Sequence, residues 1–174
     1  EIQKKLPIML QMEKHFLEYQ FIIAQAPSLS SDFYLDFLKN SKALLVRDDT
    51  YNIVRQAQVA LVTSGTATLE TALLKTPQIV CYKSNAISYR IAKRLIKVKY
   101  ISLVNLILDK LVVCELIQGE LNEMKLKKEV ELLLHNTSAQ TLMQQAYQEL
   151  WDMLDLADTS TKVASLVINL AQKN

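Results

Sequence analysis

The sequence predicts an α/β fold, a parallel sheet covered by helices on both faces. Short apolar, β-prone runs alternate with amphipathic helical runs along the chain. The central stretch, residues 59–83, reads strand, turn, helix and strand in immediate succession, which is a βαβ unit. The 174 residues, with 50% hydrophobic and 22% charged positions, fit one globular domain or most of one.

In the central unit, Val59 to Val62 is a short buried strand, Thr63-Ser-Gly-Thr66 a tight polar corner, and Ala67 to Lys75 an amphipathic helix. Pro77 marks the start of the next strand, Gln78 to Tyr82. Gly65 is one of only two glycines in the chain, and glycine lets a backbone turn sharply or a ligand approach closely. At the start of a helix the amides of Gly65, Thr66 and Ala67 have no carbonyl one turn back, and they point outward with the positive end of the dipole. Ser64 to Ala67 is therefore a place for a phosphate or pyrophosphate. Glu70 completes no capping box, because Leu69 follows Thr66 and Ala67 follows Ser64 at the spacing where the box needs Glu or Gln. Its carboxylate either accepts hydrogen bonds from sugar hydroxyls above the corner or only complements the dipole.

The flanking elements follow in order. Ile2, Leu6, Met9, Leu10 and Phe16 keep a helical period, and Pro7 sets the expected helix at about Pro7 to Phe16. Tyr19 to Ala24 reads as a strand, and Pro27 to Ser31 as a loop whose last serine caps a helix from Asp32 to Lys39. Ala43 to Val46 is the next strand, Arg47 to Thr50 its exit turn, and Tyr51 to Ala57 a short helix. Ligands of open parallel sheets bind beyond the carboxyl ends of the strands. Three such ends are expected to converge, Arg47 to Tyr51, Thr63 to Thr66 and Lys83 to Asn85, so a nucleotide laid across them also meets Thr50, Tyr51 and Lys83. The commoner role of residues such as Asp48, Asp49 and Thr50 is a solvated turn.

Past residue 85 the pattern changes. Ile87, Ile91, Leu95 and Val98 form an apolar stripe, with Arg90, Lys93, Arg94 and Lys97 on the rest of the helix. Such a helix suits an anionic membrane surface or a phosphorylated glycolipid, each basic residue there giving about 1 kcal/mol. It equally suits a core-packed helix with a solvated face. Tyr100 to Ile107 reads as an extended segment with one polar residue, Asn105, which must be hydrogen-bonded if buried and is either a structural staple or a substrate contact. Residues 122–136, 138–156 and 160–172 are helical by period. We divide the chain into residues 1–156 and a C-terminal helix, 157–174, that packs on the sheet, on another domain or on a partner subunit.

Other classes of function fit poorly. A net charge of +2 and no aromatic-interleaved basic tract argue against nucleic acid. Cys81 and Cys114 lack paired spacing, which suits reduced thiols in a cytosolic setting. His15 and His135 are isolated, so no metal site is expected. The apolar stretch 100–117 is broken by Asn105, Asp109, Lys110 and Glu115 and is too polar to cross a bilayer unaided.

Three motifs, taken together, carry a resemblance. Ser64-Gly-Thr-Ala-Thr-Leu-Glu70, Ala92-Lys-Arg-Leu-Ile-Lys-Val-Lys-Tyr-Ile-Ser-Leu-Val-Asn-Leu106 and Val113-Cys-Glu-Leu-Ile-Gln118 stand in the order and near the spacing of the lipid-A-disaccharide synthases, bacterial glycosyltransferases of the two-lobed GT-B fold. The resemblance is densest from about Val59 to Gln118 and implies a Rossmann-like UDP-sugar-binding lobe with C-terminal helices. It implies transfer of a diacylglucosaminyl group from UDP-2,3-diacylglucosamine to the 6-hydroxyl of 2,3-diacylglucosamine 1-phosphate, with no cofactor beyond the UDP-sugar donor. By the same resemblance, Ser64, Gly65, Thr66 and Ala67 hold the UDP phosphates, Glu70 the ribose, and Asn105 a donor- or acceptor-side group. Glu115 and Gln118 are secondary contacts. Arg90, Lys93, Arg94 and Lys97 face membrane-embedded substrates, which places the protein in the cytoplasm, peripheral on the inner membrane, with a homodimer through the C-terminal helices as one option.

Family members carry a Gly-Ser-Arg loop just before a Glu-Ile pair, and this chain opens at Glu1-Ile2. A fragment is therefore expected, inactive by itself and lacking the lobe with the acceptor site and general base, together with the first strand of this lobe. Many relatives have Pro at the place of Val104 and Gly-Arg at that of Asp109-Lys110. The alternatives are another GT-B UDP-sugar enzyme, such as the peptidoglycan-precursor N-acetylglucosaminyltransferase or a UDP-sugar epimerase, and a non-enzymatic nucleotide-binding module.

Overall fold

The computed structural model describes residues 2–63, 65–84 and 99–154. Their order is α1 (Ile2–Leu10), a 3-10 turn (Gln11–Lys14), β1 (Ile22–Ala24), α2 (Asp32–Leu38), β2 (Leu44–Val46), α3 (Thr50–Gln56) and β3 (Ala60–Val62). Then come α4 (Gly65–Leu73), β4 (Gln78–Tyr82), α5 (Leu103–Leu108), β5 (Cys114–Ile117), a second 3-10 turn (Gln118–Glu120), α6 (Glu123–His135) and α7 (Thr137–Leu154). Every strand pairing is parallel, as expected from the alternation of strand and helix. The fold is α/β and Rossmann-like.

The ladder comes in two pieces, β1 with β2, and β3-β4-β5 with β4 in the middle. Burial follows that division. In β4, Ile79, Val80 and Cys81 are wholly enclosed, whereas Ile22 of β1 and Leu44 of β2 are 44% and 52% exposed. The core lies around β4. α6 packs on β4 and β5 and also touches α1, while α4, α5 and α7 pack on one another. Leu126, Val130, Leu133, Met143, Tyr147 and Leu150 supply the helical side of the core, with Met12 and Phe16 from the segment after α1.

Three expectations are corrected. α1 begins at Ile2 and carries Pro7 inside it. Pro7 and Gln3 are both exposed, so the Gln3 carbonyl that loses its helical partner faces water. Ser31 makes no cap, and its hydroxyl donates instead to Gln25 Oε1 at 2.9 Å. The segment expected to be extended, Tyr100 to Ile107, contains helix α5. Ser102 caps it by accepting the Asn105 amide at 3.3 Å, and Val104, Asn105 and Leu108 form its buried side. Short apolar runs of this kind do not separate strand from helix by period alone. Cys114–Ile117, to which the sequence pattern assigns no element, is a strand of the sheet paired with β4.

Candidate functional site

β3 ends at Val62, and the chain passes through Thr63 and Ser64 into α4 at Gly65. Ser64 itself lies outside the described residues, as do Arg90, Lys93, Arg94 and Lys97 of the basic segment. α4 thus starts beyond the carboxyl end of its strand, where the dipole is positive. Gly65 does not adopt a positive φ. A Cβ built there meets the Ile101 carbonyl oxygen at 3.7 Å, an ordinary contact. Among the described residues, neither the turn nor the packing demands glycine.

Thr68, one turn into α4, is wholly buried. Its hydroxyl donates to the Gly65 carbonyl at 2.5 Å and accepts the Leu103 amide at 3.2 Å, coupling the first turn of α4 to the start of α5. α5 is in turn fixed to β5. The Glu115 carboxylate accepts the amides of Ile101 at 2.8 Å and Ser102 at 2.9 Å, the Ser102 hydroxyl at 2.8 Å and the Asn105 amide nitrogen at 2.9 Å. Asn105 Oδ1 accepts the amides of Val112 at 2.8 Å and Val113 at 3.0 Å, and Nδ2 also donates to the Val113 carbonyl at 2.9 Å. All its hydrogen-bonding capacity lies inside the protein, which is the staple arrangement.

The ends of β4 and β5 are tied beside this corner. Gln118 Oε1 accepts the Ser84 amide at 3.1 Å, and its Nε2 donates to the Ser84 hydroxyl at 3.3 Å, with half-buried Lys83 next to it. Gln118 holds a left-handed φ of 54°. Two of the three strand ends expected to converge, those after β3 and β4, are thus neighbours through the ladder. The third is not joined to them by strand pairing. Thr50 and Tyr51 open α3 after β2, in the other sheet piece, and Tyr51 is 59% exposed. Glu70 is exposed on the second turn of α4.

Sequence reasoning missed two residues here, Thr68 and Lys5. Lys5 is 2% exposed, and its ammonium donates to the Thr63 carbonyl at 3.1 Å. Its spacing from Ile2, Leu6 and Met9 on one helical face was the available signal. The two cysteines are chemically quiet, since burial pushes both thiols up to about 12. Among the described residues no cluster of His, Cys, Asp or Glu is placed to hold a metal.

The chain matches the family model described as lipid-A-disaccharide synthetase over residues 1–167. It belongs to that family. The lipid-A-disaccharide synthases of Syntrophus aciditrophicus (strain SB) and of Chromobacterium violaceum are 36% and 35% identical to it, over 100% and 99% of this chain and 47% of each relative. That of Coxiella burnetii (strain Dugway 5J108-111) is 31% identical over 98% of this chain and 46% of the relative. The chain thus spans about half the length of the curated relatives it matches.

Membership in the lipid-A-disaccharide synthase family gives the chain's own departures a physical reading. Asp109, where many members have glycine, is the C-cap of α5 in the left-handed region at φ 45° and ψ 32°. Aspartate is among the few side chains that tolerate that conformation, and Lys99 pairs with its carboxylate at 3.0 Å. Val104, where many have proline, is the second residue of α5, a first-turn position that accepts either.

Proposed function

We propose that the whole protein is a lipid-A-disaccharide synthase and that this chain is its UDP-sugar-binding lobe. The observation that carries the reading is the corner between β3 and α4 in a chain of this family. A helix of nine residues opens at the carboxyl end of the parallel strand β3 on a glycine that the described residues around it do not require. Ser64, Gly65, Thr66 and Ala67 hold the diphosphate through main-chain amides, and Glu70, exposed one turn on, accepts the ribose hydroxyls. Thr68, Asn105 and Glu115 hold that corner in shape. Lys83, Gln118, Thr50 and Tyr51 line its surroundings.

In the reaction, the 6-hydroxyl of 2,3-diacylglucosamine 1-phosphate attacks the anomeric carbon of UDP-2,3-diacylglucosamine. The bond to the diphosphate breaks with inversion, and the acceptor's proton passes to a base in the other half of the whole protein. The products are the β-linked disaccharide 1-phosphate and UDP, whose developing charge the amides and dipole of α4 stabilise. The other half also supplies a strand that joins the two pieces of the sheet. Arg90, Lys93, Arg94 and Lys97 hold the enzyme to the inner membrane surface from the cytoplasmic side. No helix of the described residues is long and apolar enough to cross a membrane, which fits peripheral attachment.

Titration calorimetry of the whole protein with UDP, followed by an assay of UDP release with donor and acceptor together and each alone, tests the proposal. Binding of UDP and release only with both substrates are expected. A folded protein that takes up no UDP overturns it.

A further inference from the structure

Thr68 is wholly enclosed, and a valine of the same outline would fill its place without burying a hydroxyl. The hydroxyl is instead used twice. Its single proton goes to the Gly65 carbonyl at 2.5 Å, and a lone pair takes the Leu103 amide at 3.2 Å. Both partners open a helix, Gly65 as the first residue of α4 and Leu103 as the first of α5. The main chain of Thr68 is pinned as well. Its carbonyl accepts Gln78 Nε2 at 2.9 Å from the enclosed start of β4, and the same Nε2 donates to the Tyr147 hydroxyl at 3.1 Å. The segment across the hydroxyl is equally fixed, since Glu115 accepts the amides of Ile101 and Ser102, and a Cβ on Gly65 would meet the Ile101 carbonyl oxygen at 3.7 Å. A threonine hydroxyl that bonds a carbonyl of the preceding turn tends to bend the helix there. The course of the first turn of α4 therefore depends on this one group.

We infer that Thr68 is a positioning residue for the diphosphate of the donor, its hydroxyl setting the first turn of α4 by tying the Gly65 carbonyl to the fixed start of α5. Asn105 and Glu115 fix that start, and Thr68 carries the placement to Gly65. The inference rests on the reading of this corner as a UDP site. A first turn shifted by loss of the hydroxyl misplaces what meets the anion and leaves the contacts of the nucleoside alone. UDP and uridine thus separate positioning from a role in packing, which treats both alike.

Thr68→Val, Thr68→Ala and Thr68→Ser in the whole protein provide the test, with UDP and uridine affinities from titration calorimetry and Tm from thermal unfolding. Thr68→Val keeps the outline and takes this acceptor from the Leu103 amide, so its Tm should fall. Its UDP affinity should fall about tenfold, the size of one weakened hydrogen bond to a charged group, while uridine affinity stays unchanged. Thr68→Ala should show the same split between UDP and uridine. Thr68→Ser keeps the hydroxyl and should retain most of the UDP affinity. A valine or alanine variant that binds UDP like the wild type overturns the inference. So does an equal loss of UDP and uridine, or a serine variant no better than the valine one. Valine and alanine variants that both fail to fold overturn it too, because the hydroxyl then serves the fold and not the diphosphate. A wild type that binds no UDP overturns this inference and the proposed function together, whereas a wild type that binds UDP leaves only Thr68 at stake.

Discussion

Asn105 has all its hydrogen-bonding capacity inside the protein, joined to Val112, Val113 and Glu115. Replacing it with alanine removes the acceptor of the Val112 and Val113 amides and the donor to the Val113 carbonyl, so Asn105→Ala is expected to lower unfolding free energy by about 2–4 kcal/mol. Urea denaturation measures this directly. Gly65 predicts the reverse pattern. Because among the described residues a Cβ there meets one ordinary contact, Gly65→Ala should leave the melting temperature unchanged and weaken UDP binding. Unaltered UDP affinity in that variant would sink the view that the diphosphate lies against Gly65. Glu70→Ala should likewise weaken UDP with little change in stability, since Glu70 is exposed. Gly65 and Asn105 stood out in the sequence because a rare glycine and a lone polar residue in an apolar run are both conspicuous. What Asn105 touches was not, since its partners lie seven to ten residues on, across a turn whose path depends on β5.

Among the elements, the strand–corner–helix of β3 and α4 could be read in advance because each piece carries its own local signal, a short apolar run, a polar turn and an amphipathic period. α5 could not. Its six residues are nearly all apolar, and only the Ser102 cap and the left-handed Asp109 at its end make it a helix. That end carries a prediction. Asp109→Gly relieves the strain of a non-glycine residue at φ 45° and gives up an exposed ion pair, so a net gain of about 0.5 kcal/mol is expected from thermal unfolding. Pro7 misleads in the other direction. Proline usually breaks a helix interior, but here the carbonyl it leaves unpaired faces solvent, and α1 continues through it.

For the molecule as a whole, the enclosed β4 gives a pH dependence. Burial raises the thiols of Cys81 and Cys114 from 9.0 to about 12, and also raises the Tyr147 phenol. In the unfolded chain these groups lose their protons first, so the native state binds more protons at alkaline pH. Their contribution to stability is fully present below about pH 9 and is lost as pH rises toward about 12. Urea midpoints compared at about pH 8 and about pH 11 should fall, and fall less in a Cys81→Ala, Cys114→Ala double variant. The sequence by itself determined the α/β class, the parallel alternation and the strand–corner–helix of β3 and α4, because hydrophobic period and turn chemistry are local properties of a few neighbouring residues. Only the tertiary structure decided that the ladder is in two pieces, that Asn105 and Glu115 are joined to each other, and that Lys5 reaches the Thr63 carbonyl. Those facts depend on residues distant in the chain meeting in space, as Lys5 meets Thr63 across 58 positions, and no local pattern encodes such a meeting.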